Sequence, residues 1–132
     1  MMQMKSCAES TRSLRILVVD DVAINRVLAI AFLGRLGHQV EEVDRGLAAI
    51  ARLAQQPPID LLLLDINMPE LSGEDVCAQL RANPALAHLK IIAYTAHAGS
   101  QDQQRYLSNG FDAVLVKPIS LPRLKDAIAG VL

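Results

Sequence analysis

Short apolar runs alternate along the chain with longer segments of mixed polarity. Four runs are rich in branched side chains and have little polar alternation, which is typical of strands covered on both faces of a sheet. These predicted buried strands are Leu14 to Val19, Asp60 to Leu64, Leu89 to Tyr94 and Ala113 to Val116. A fifth run, His38 to Val43, is more polar and predicts an edge strand.

The segments between these runs have the composition and the end signals of helices. The first ends at Gly37, and the second stops before two consecutive prolines, in line with residue preferences at helix ends. The predicted helices are Val22 to Leu36, Gly46 to Gln55, Ser72 to Ala82, Ala98 to Asn109 and Leu121 to Val131. Strands that alternate with helices favour a parallel sheet with helices on both faces, so the predicted class is α/β.

A single domain accounts for most of the chain. The 132 residues are enough for one domain that buries about two-thirds of its surface on folding. Residues 1–13 are polar and aperiodic, and we interpret them as a flexible tail or linker before a domain over residues 14–132. Hydrophobic residues make up 52% of the sequence, which rules out a disordered chain.

Charge and cysteine content exclude several classes of function. The 13 basic and 14 acidic residues give a net charge of -1, which argues against nucleic acid or an anionic membrane as a direct partner. The longest apolar run, Val27 to Leu33, is far shorter than a membrane span. The two cysteines, Cys7 and Cys77, lie far apart and indicate a reduced compartment, so we expect the protein in the cytoplasm.

Chemically active side chains follow four of the predicted strands. Asp20 and Asp21 follow the first, and Asp65, Thr95 and Lys117 follow three others. In an open parallel sheet, ligands bind beyond the carboxyl ends of the strands. Each residue alone has an ordinary interpretation, as a helix cap, a strand residue or a solvated lysine. Coincidence is the poorer explanation for all of them at corresponding strand ends.

Three clustered carboxylates repel one another, and a divalent cation relieves that repulsion. Oxygen ligands with room for water favour Mg²⁺, with Mn²⁺ as the other candidate, over zinc. A hard cation, a carboxylate nucleophile, a hydroxyl and a lysine suit phosphoryl transfer, because the cation and the lysine neutralise phosphoryl oxygens. Aspartate can accept the phosphoryl group as an acyl phosphate.

Four segments of the sequence carry these residues: ILVVDD (residues 16–21), LLLLDINMPELSG (61–73), IIAYTAHA (91–98) and VKPIS (116–120). Together they resemble response-regulator receiver domains of two-component signalling. The resemblance implies a flavodoxin-like (βα)5 fold, with a five-stranded parallel sheet in the order 2-1-3-4-5. It also implies a phosphoacceptor signalling domain, not an enzyme, that takes its phosphoryl group from phosphohistidine and then switches conformation or partner binding.

The resemblance also implies roles for the acidic residues. Asp65 would be the phosphoacceptor. Asp20 and Asp21, with Asp65 and the backbone carbonyl of Asn67, would hold Mg²⁺, Asp21 being the more direct ligand. Asn67 and His97, each two residues beyond a site residue, are expected to set the lifetime of the phosphoryl group by controlling the attacking water. A solvated loop side chain is nearly as good an interpretation of His97.

By the same resemblance, Thr95 would donate a hydrogen bond to a phosphoryl oxygen, and Lys117 would pair with the phosphate. The bond between Lys117 and Pro118 is expected to be cis. Two positions depart from the family pattern. Val114 occupies the place where many receivers have an aromatic switch residue, which leaves the signalling route open, and Ser72 stands where Asp is frequent.

The first predicted helix is apolar nearly all round, which is unusual for a surface helix. We assign one stripe to the core: Leu28, Ala29, Phe32, Leu33 and Leu36. The opposite stripe consists of Ala23, Val27, Ile30, Ala31 and Gly34. It is either a scatter of small apolar residues or a docking face. The resemblance favours docking of a phosphohistidine-bearing helical bundle, from a histidine kinase or a histidine phosphotransfer domain, near Ala23, Val27 and Ile30.

Two other functions have less support from the sequence. A phosphatase with an aspartate nucleophile lacks support, because Asp65 is followed by Ile66 and Asn67 rather than by a second aspartate at the usual spacing. A pseudo-receiver, acting as a phosphorylation-independent interaction or dimerisation module, would be expected to lack Asp65, Lys117 or the acidic pair, and all are present. The chain is interpreted as a stand-alone regulator or as the receiver of a hybrid histidine kinase.

Overall fold

A five-stranded parallel sheet forms the centre of the molecule, whose computed structural model describes residues 12–96 and 99–132. The strands lie in the order β2-β1-β3-β4-β5, so the predicted α/β class and strand order are confirmed. The strands are β1 (Arg15–Val19), β2 (Gln39–Val43), β3 (Leu61–Asp65), β4 (Lys90–Thr95) and β5 (Ala113–Val116). The helices are α1 (Ala23–Arg35), α2 (Gly46–Leu53), α3 (Gly73–Arg81), α4 (Ser100–Ser108) and α5 (Leu121–Val131).

The element boundaries lie close to those predicted from the pattern. Helix α2 ends at Leu53, two residues earlier than expected, and the predicted start of α4 at Ala98 lies outside the described residues. A short 3-10 helix over Pro84–Leu86 was not predicted, and Asn83 caps it by accepting a hydrogen bond from the Ala85 N–H. Turns of this length leave no periodicity to detect.

Two hydrophobic clusters cover the two faces of the sheet. Helices α2, α3 and α4 supply Ala49, Val76 and Tyr106 to one cluster, whereas α1 and α5 supply Leu33 and Ile128 to the other. Strand β3 is buried over its whole length because both of its faces are covered. The three-layer arrangement confirms the expected helices on both faces.

Strand β5 corrects one prediction. The run from Ala113 to Val116 was expected to be covered on both faces, but β5 is the second edge strand and only Leu115 is buried in it. A run of four apolar residues has the same composition in an edge strand as in a central strand. Local composition therefore does not predict the order in which strands pair. The other edge strand, β2, was predicted as an edge strand and is one.

Helix α1 buries a narrower stripe than expected. Ala29 and Leu33 are fully buried, but Leu28, which was assigned to the core, is 36% exposed. On the opposite side Val27 is 59% exposed, whereas Ile30 is half-buried and therefore belongs only in part to the outer face. Both residues lie at the margins of the stripes to which they were assigned. The buried face of α1 therefore differs from the predicted one only by a small rotation about the helix axis.

Several smaller predictions can be compared with the structure. The Lys117–Pro118 bond is cis, as expected, and Gln56–Pro57 is a second cis bond that was not predicted. Ser72 caps α3, with its hydroxyl accepting a hydrogen bond from a backbone N–H 3.2 Å away. The predicted tail lies almost entirely outside the described residues. Among the helices that the structure describes, none is long and apolar enough to cross a membrane.

Candidate functional site

Four adjacent strands bring the predicted site residues to one edge of the sheet. Asp20 directly follows β1, Asp65 ends β3, Thr95 ends β4 and Lys117 directly follows β5. These strands are neighbours and run parallel, so their carboxyl ends meet. The backbone N–H of Lys117 donates to the carbonyl of Thr95 at 2.8 Å, which continues the β4–β5 pairing to the site.

The three aspartates form an acidic cluster. Asp20, Asp21 and Asp65 each offer a carboxylate oxygen, and these oxygens lie within 4.8 Å of one another. Asp20 and Asp65 are buried, whereas Asp21 is exposed. Like charges this close repel strongly where water is excluded. The donor set is therefore one that a hard divalent cation would stabilise.

Asp20 has one oxygen that is satisfied and one that is not. Its Oδ1 accepts a hydrogen bond from the Val22 N–H at 2.9 Å, which fixes the carboxylate at the start of α1. Its Oδ2 is buried and accepts no hydrogen bond from any residue that the structure describes. Lys117 Nζ lies 3.3 Å from this oxygen without a hydrogen bond to it. A buried carboxylate oxygen without a hydrogen bond, in a residue that clusters with two other aspartates, fits a metal ligand.

Lys117 supplies the positive charge of the site. Its Nζ lies 3.0 Å from Asp65 Oδ1 and 3.3 Å from Asp20 Oδ2, and its side chain is only 18% exposed. Burial raises the pKa of Asp65 to about 6, and the Asp20 charge adds to the rise while Lys117 opposes it. The ammonium contacts two of the three clustered carboxylates, and the cluster keeps an excess of negative charge.

The loop after β3 holds the Asp65 side chain. The Asn67 N–H donates to Asp65 Oδ1 at 3.2 Å. Within residues 12–96 and 99–132, this bond and the Lys117 bond are the hydrogen bonds to the carboxylate, and both reach Oδ1. Gly73 packs so closely that a Cβ there would overlap the Asp65 carbonyl oxygen and lie 2.8 Å from Ile66 Cα. The first residue of α3 is therefore in direct contact with the backbone at the end of β3.

Three further positions from the sequence analysis differ in what the structure describes of them. Thr95 is fully buried at the end of β4, beside the Asp65 strand. His97 lies outside the described residues, so its expected effect on the phosphoryl lifetime stays a prediction. Val114 is half-buried and packs on the cluster beneath α2, α3 and α4. No aromatic side chain occupies that position to act as a switch.

Sequence reasoning missed Tyr94. Its ring centroid lies 4.5 Å from Lys117 Nζ, and its backbone pairs in register with Asp65. Burial raises the pKa of the Tyr94 phenol to about 12, with Asp20 and Asp65 adding to the effect, so the ring stays neutral. The available signal was an aromatic residue directly before Thr95 in a chain with few aromatics.

An exposed apolar surface adjoins the acidic edge. We call it the α1 patch; it consists of Val22, Ile24, Val27 and Leu28, which are 44%, 69%, 59% and 36% exposed. The patch begins one residue after Asp21, so it borders the site. Of the three residues predicted for docking, Val27 is part of the patch and Ala23 is exposed beside it, whereas Ile30 is half-buried.

Comparison with known proteins extends these observations. A sequence-family model described as response regulator receiver domain matches residues 16–129. The sensor histidine kinase RcsC of Salmonella typhi is 37% identical over 122 residues, covering 92% of this chain but 13% of that protein. The polar-differentiation response regulator DivK of Brucella abortus (strain S19) is 34% identical over 117 residues, covering 89% of this chain and 94% of that protein. The chain thus spans a small part of one relative and nearly all of the other.

Solved structures show the same architecture. The receiver domain of a sensor histidine kinase from Pseudomonas aeruginosa PAO1, with a magnesium ion coordinated in its active site cleft, has a TM-score of 0.80 and 30% identity. The match covers 91% of this chain and 98% of that one. The chemotaxis response regulator CheY4 of Vibrio cholerae has a TM-score of 0.83 and 26% identity, covering 92% and 100%.

Proposed function

Since the chain belongs to the response regulator receiver domain family of two-component signalling, we propose that Asp65 accepts a phosphoryl group from a phosphohistidine. The observation that carries the proposal is the buried Asp65 carboxylate, with Lys117 Nζ at 3.0 Å and two more carboxylates beside it. A carboxylate in this setting has an adjacent ammonium for the incoming phosphoryl oxygens and a cluster of ligands for a cation. The phosphorylated domain then changes conformation or partner binding.

The proposed step forms one bond and breaks one. An Asp65 carboxylate oxygen attacks phosphorus, and the P–N bond of the phosphohistidine breaks, with its electron pair leaving on the imidazole. Oδ2 is the better candidate for the nucleophile, because Oδ1 already accepts two hydrogen bonds. Lys117 and the Thr95 hydroxyl donate hydrogen bonds to the phosphoryl oxygens, whose negative charge would otherwise repel the acidic cluster.

We propose that Asp20, Asp21, Asp65 and the Asn67 carbonyl hold Mg²⁺, with Mn²⁺ as the other candidate. The three clustered carboxylates and the unsatisfied Asp20 Oδ2 support this assignment. The magnesium ion in the related Pseudomonas receiver supports it too. When bound, the cation would supply charge neutralisation at the phosphoryl oxygens.

We propose a signalling domain rather than an independent enzyme, one that extends over residues 14–132 and assists its own phosphorylation and dephosphorylation. Its donor would be a histidine kinase or a histidine phosphotransfer domain. The α1 patch offers such a helical bundle an apolar contact next to the acidic edge that contains Asp65. A reduced, cytoplasmic setting remains the prediction from the two widely spaced cysteines in the sequence.

Incubation with acetyl phosphate and Mg²⁺, followed by intact mass spectrometry, tests the proposal. We expect a single phosphate adduct on the wild-type chain and none on Asp65→Asn. Asp75→Asn is the matched control, because Asp75 is an exposed carboxylate on α3 outside the acidic cluster, and it should be modified like wild type. An unmodified wild-type chain would contradict the proposal and favour a phosphorylation-independent interaction module.

A further inference from the structure

Lys117 needs more than one restraint to hold its ammonium in place. A lysine side chain has four rotatable bonds, and it loses conformational freedom when its end is localised. In the described structure the ammonium has three neighbours: Asp65 Oδ1 at 3.0 Å, Asp20 Oδ2 at 3.3 Å and the Tyr94 ring at 4.5 Å from its centroid. Two of the three are carboxylates, and the third is neutral.

The two carboxylate contacts change during the proposed reaction. A cation in the acidic cluster would neutralise the charge that attracts Lys117 to Asp20. Phosphorylation converts the Asp65 carboxylate into an acyl phosphate, a mixed anhydride, which removes the negative charge from the carboxyl oxygen that Lys117 now contacts. The attraction between the ammonium and the face of the Tyr94 ring depends on neither event.

Tyr94 is held firmly enough to act as a fixed support. The residue is 1% exposed and packs in the cluster beneath α1 and α5. Its carbonyl accepts the Ile66 N–H at 3.1 Å, and its backbone pairs with both Asp65 and Leu115. Because the backbone of Tyr94 is paired on both sides and its ring is packed in the core, the ring has little freedom to move. The ring therefore restricts the position of the Lys117 side chain, and not the reverse.

We propose that Tyr94 is a positioning residue for Lys117: its ring keeps the ammonium beside Asp65 before, during and after phosphoryl transfer. The inference rests on the proposed function of Asp65. It assigns a role to an aromatic side chain that differs from the missing aromatic at Val114, because Val114 packs with the opposite cluster.

Three variants separate positioning from simple core filling. Tyr94→Phe keeps the ring, and Tyr94→Leu removes it while retaining an apolar side chain. Tyr106→Leu is the matched control, since Tyr106 is also a buried tyrosine with a cation over its ring, Arg105 at 5.0 Å, but it lies in the other cluster. A loss of general packing would affect both leucine variants alike.

Nuclear magnetic resonance of ¹³C-labelled lysine measures the position of the ammonium directly. Protons above an aromatic ring resonate upfield, so the Lys117 Hε signals, assigned by their loss in Lys117→Arg, should be shifted upfield in wild type. We expect the shift to persist in Tyr94→Phe and Tyr106→Leu and to disappear in Tyr94→Leu. Unshifted Lys117 signals in wild type would overturn the proposal even if Tyr94→Leu failed to fold.

The rate of phosphorylation by acetyl phosphate provides the functional measurement. We expect Tyr94→Leu to be slower by about tenfold, or about 1.4 kcal/mol, which lies between the values for an exposed and a fully desolvated cation–π contact. Tyr94→Phe and Tyr106→Leu should remain within about twofold of wild type, since both keep the ring under Lys117. Equal slowing of Tyr94→Phe and Tyr94→Leu would contradict a role for the ring. Failure of wild type to become phosphorylated would reject the proposed function instead, while the resonance shifts would still report on the ring.

Discussion

At the scale of single residues, burial and charge act together on the site. Asp65 is buried, beside another buried carboxylate, and its pKa is raised to about 6; near neutral pH it is still mostly ionised and can act as a nucleophile. Lys117 limits the rise by pairing with both carboxylates. The balance between burial and the Lys117 charge explains how Asp65 can stay mostly ionised although it is buried.

His38, at the opposite end of the sheet, should make stability depend on pH. Its Nδ1 accepts the Leu14 N–H at 3.1 Å, and burial lowers the pKa of the imidazole below its ordinary value of 6.5. The unfolded chain therefore binds a proton more readily, so the stability that His38 contributes is present above pH 6.5 and is lost as the pH falls through the lowered folded-state value.

Urea unfolding of wild type and His38→Gln between about pH 8 and about pH 5 checks this expectation. Because wild type and His38→Gln share all other titrating groups, the difference between their free energies of unfolding reports the contribution of His38 alone. The advantage of wild type should shrink as the pH falls. If the stability advantage of wild type grew as the pH fell, the pKa of His38 would be raised on folding, which contradicts the expectation.

The positions of the acidic residues in the site could be predicted, because they depend on where the strands end. Asp20, Asp21 and Asp65 come together because parallel strands place their carboxyl ends at one edge, and that rule can be applied to a sequence. The Tyr94 ring under Lys117 could not be predicted. It depends on which face of β4 the side chain occupies and on the path of the lysine across neighbouring strands.

At the scale of elements, the junction of β3 and α3 determines where Asp65 lies. Gly73 begins α3, and its N–H donates to the Ile66 carbonyl at 3.0 Å. There is no room for a side chain at Gly73, because the nearest atoms are backbone atoms of Asp65 and Ile66. Any residue larger than glycine must push the helix away from the strand end.

Gly73→Ala should therefore destabilise the chain by about 1–3 kcal/mol, the usual cost of overpacking, and slow phosphorylation of Asp65. Gly34→Ala is the control, since a Cβ at Gly34 in α1 meets nothing within 4 Å. It should stabilise the chain by about 0.5–1 kcal/mol, because alanine favours a helix interior. Urea unfolding measures both changes, and equal stability of Gly73→Ala and wild type would show that the junction is not tight.

The α1 patch can be tested with a charge placed at its centre. Val27→Asp should slow phosphoryl transfer from a phosphohistidine-bearing bundle by about tenfold or more, which corresponds to loss of a moderate interface contact. Phosphorylation by acetyl phosphate should be unchanged, since no docking is needed. Leu47→Asp is the control, because Leu47 is 61% exposed but belongs to α2 on the other face of the sheet. Unaltered transfer to Val27→Asp would exclude docking on this surface.

The periodicity of apolar residues predicted the positions of the strands and helices well. It predicted less well which of their surfaces are covered by neighbouring elements. Strand and helix spacing located every long element, because each has an apolar face that must be buried. The edge position of β5 and the exposure of Leu28 differed from expectation. Both depend on which neighbours cover a given surface, and local composition does not contain that information.

At the scale of the whole molecule, the acidic cluster links cation binding to folding. Asp65 meets the Asp20–Asp21 pair only in the folded chain, since Asp65 ends β3 and the pair follows β1. A cation that binds this cluster and not the unfolded chain must stabilise the fold by mass action. The repulsion among the carboxylates is an unfavourable contribution to the stability of the folded chain, and a bound cation would relieve it.

Mg²⁺ at about ten times its dissociation constant should raise the free energy of unfolding of wild type by about 1.4 kcal/mol. Asp21→Asn should lose most of this gain. Asp44→Asn should keep it, because Asp44 is an exposed carboxylate paired with Arg45 outside the cluster. Urea unfolding with and without Mg²⁺, at matched ionic strength, makes the comparison. The same gain in all three chains would mean that the ion acts elsewhere.

Chemical mapping of the phosphorylated residue is the most direct test of the role proposed for Asp65. Borohydride reduces an aspartyl phosphate to homoserine, and peptide mass spectrometry then identifies the converted position. After phosphorylation by a phosphohistidine donor with Mg²⁺, we expect homoserine at residue 65 and at no other aspartate. Conversion at another aspartate, or an unconverted residue 65 in a chain that carries phosphate, would contradict the assignment of Asp65 as the phosphoacceptor.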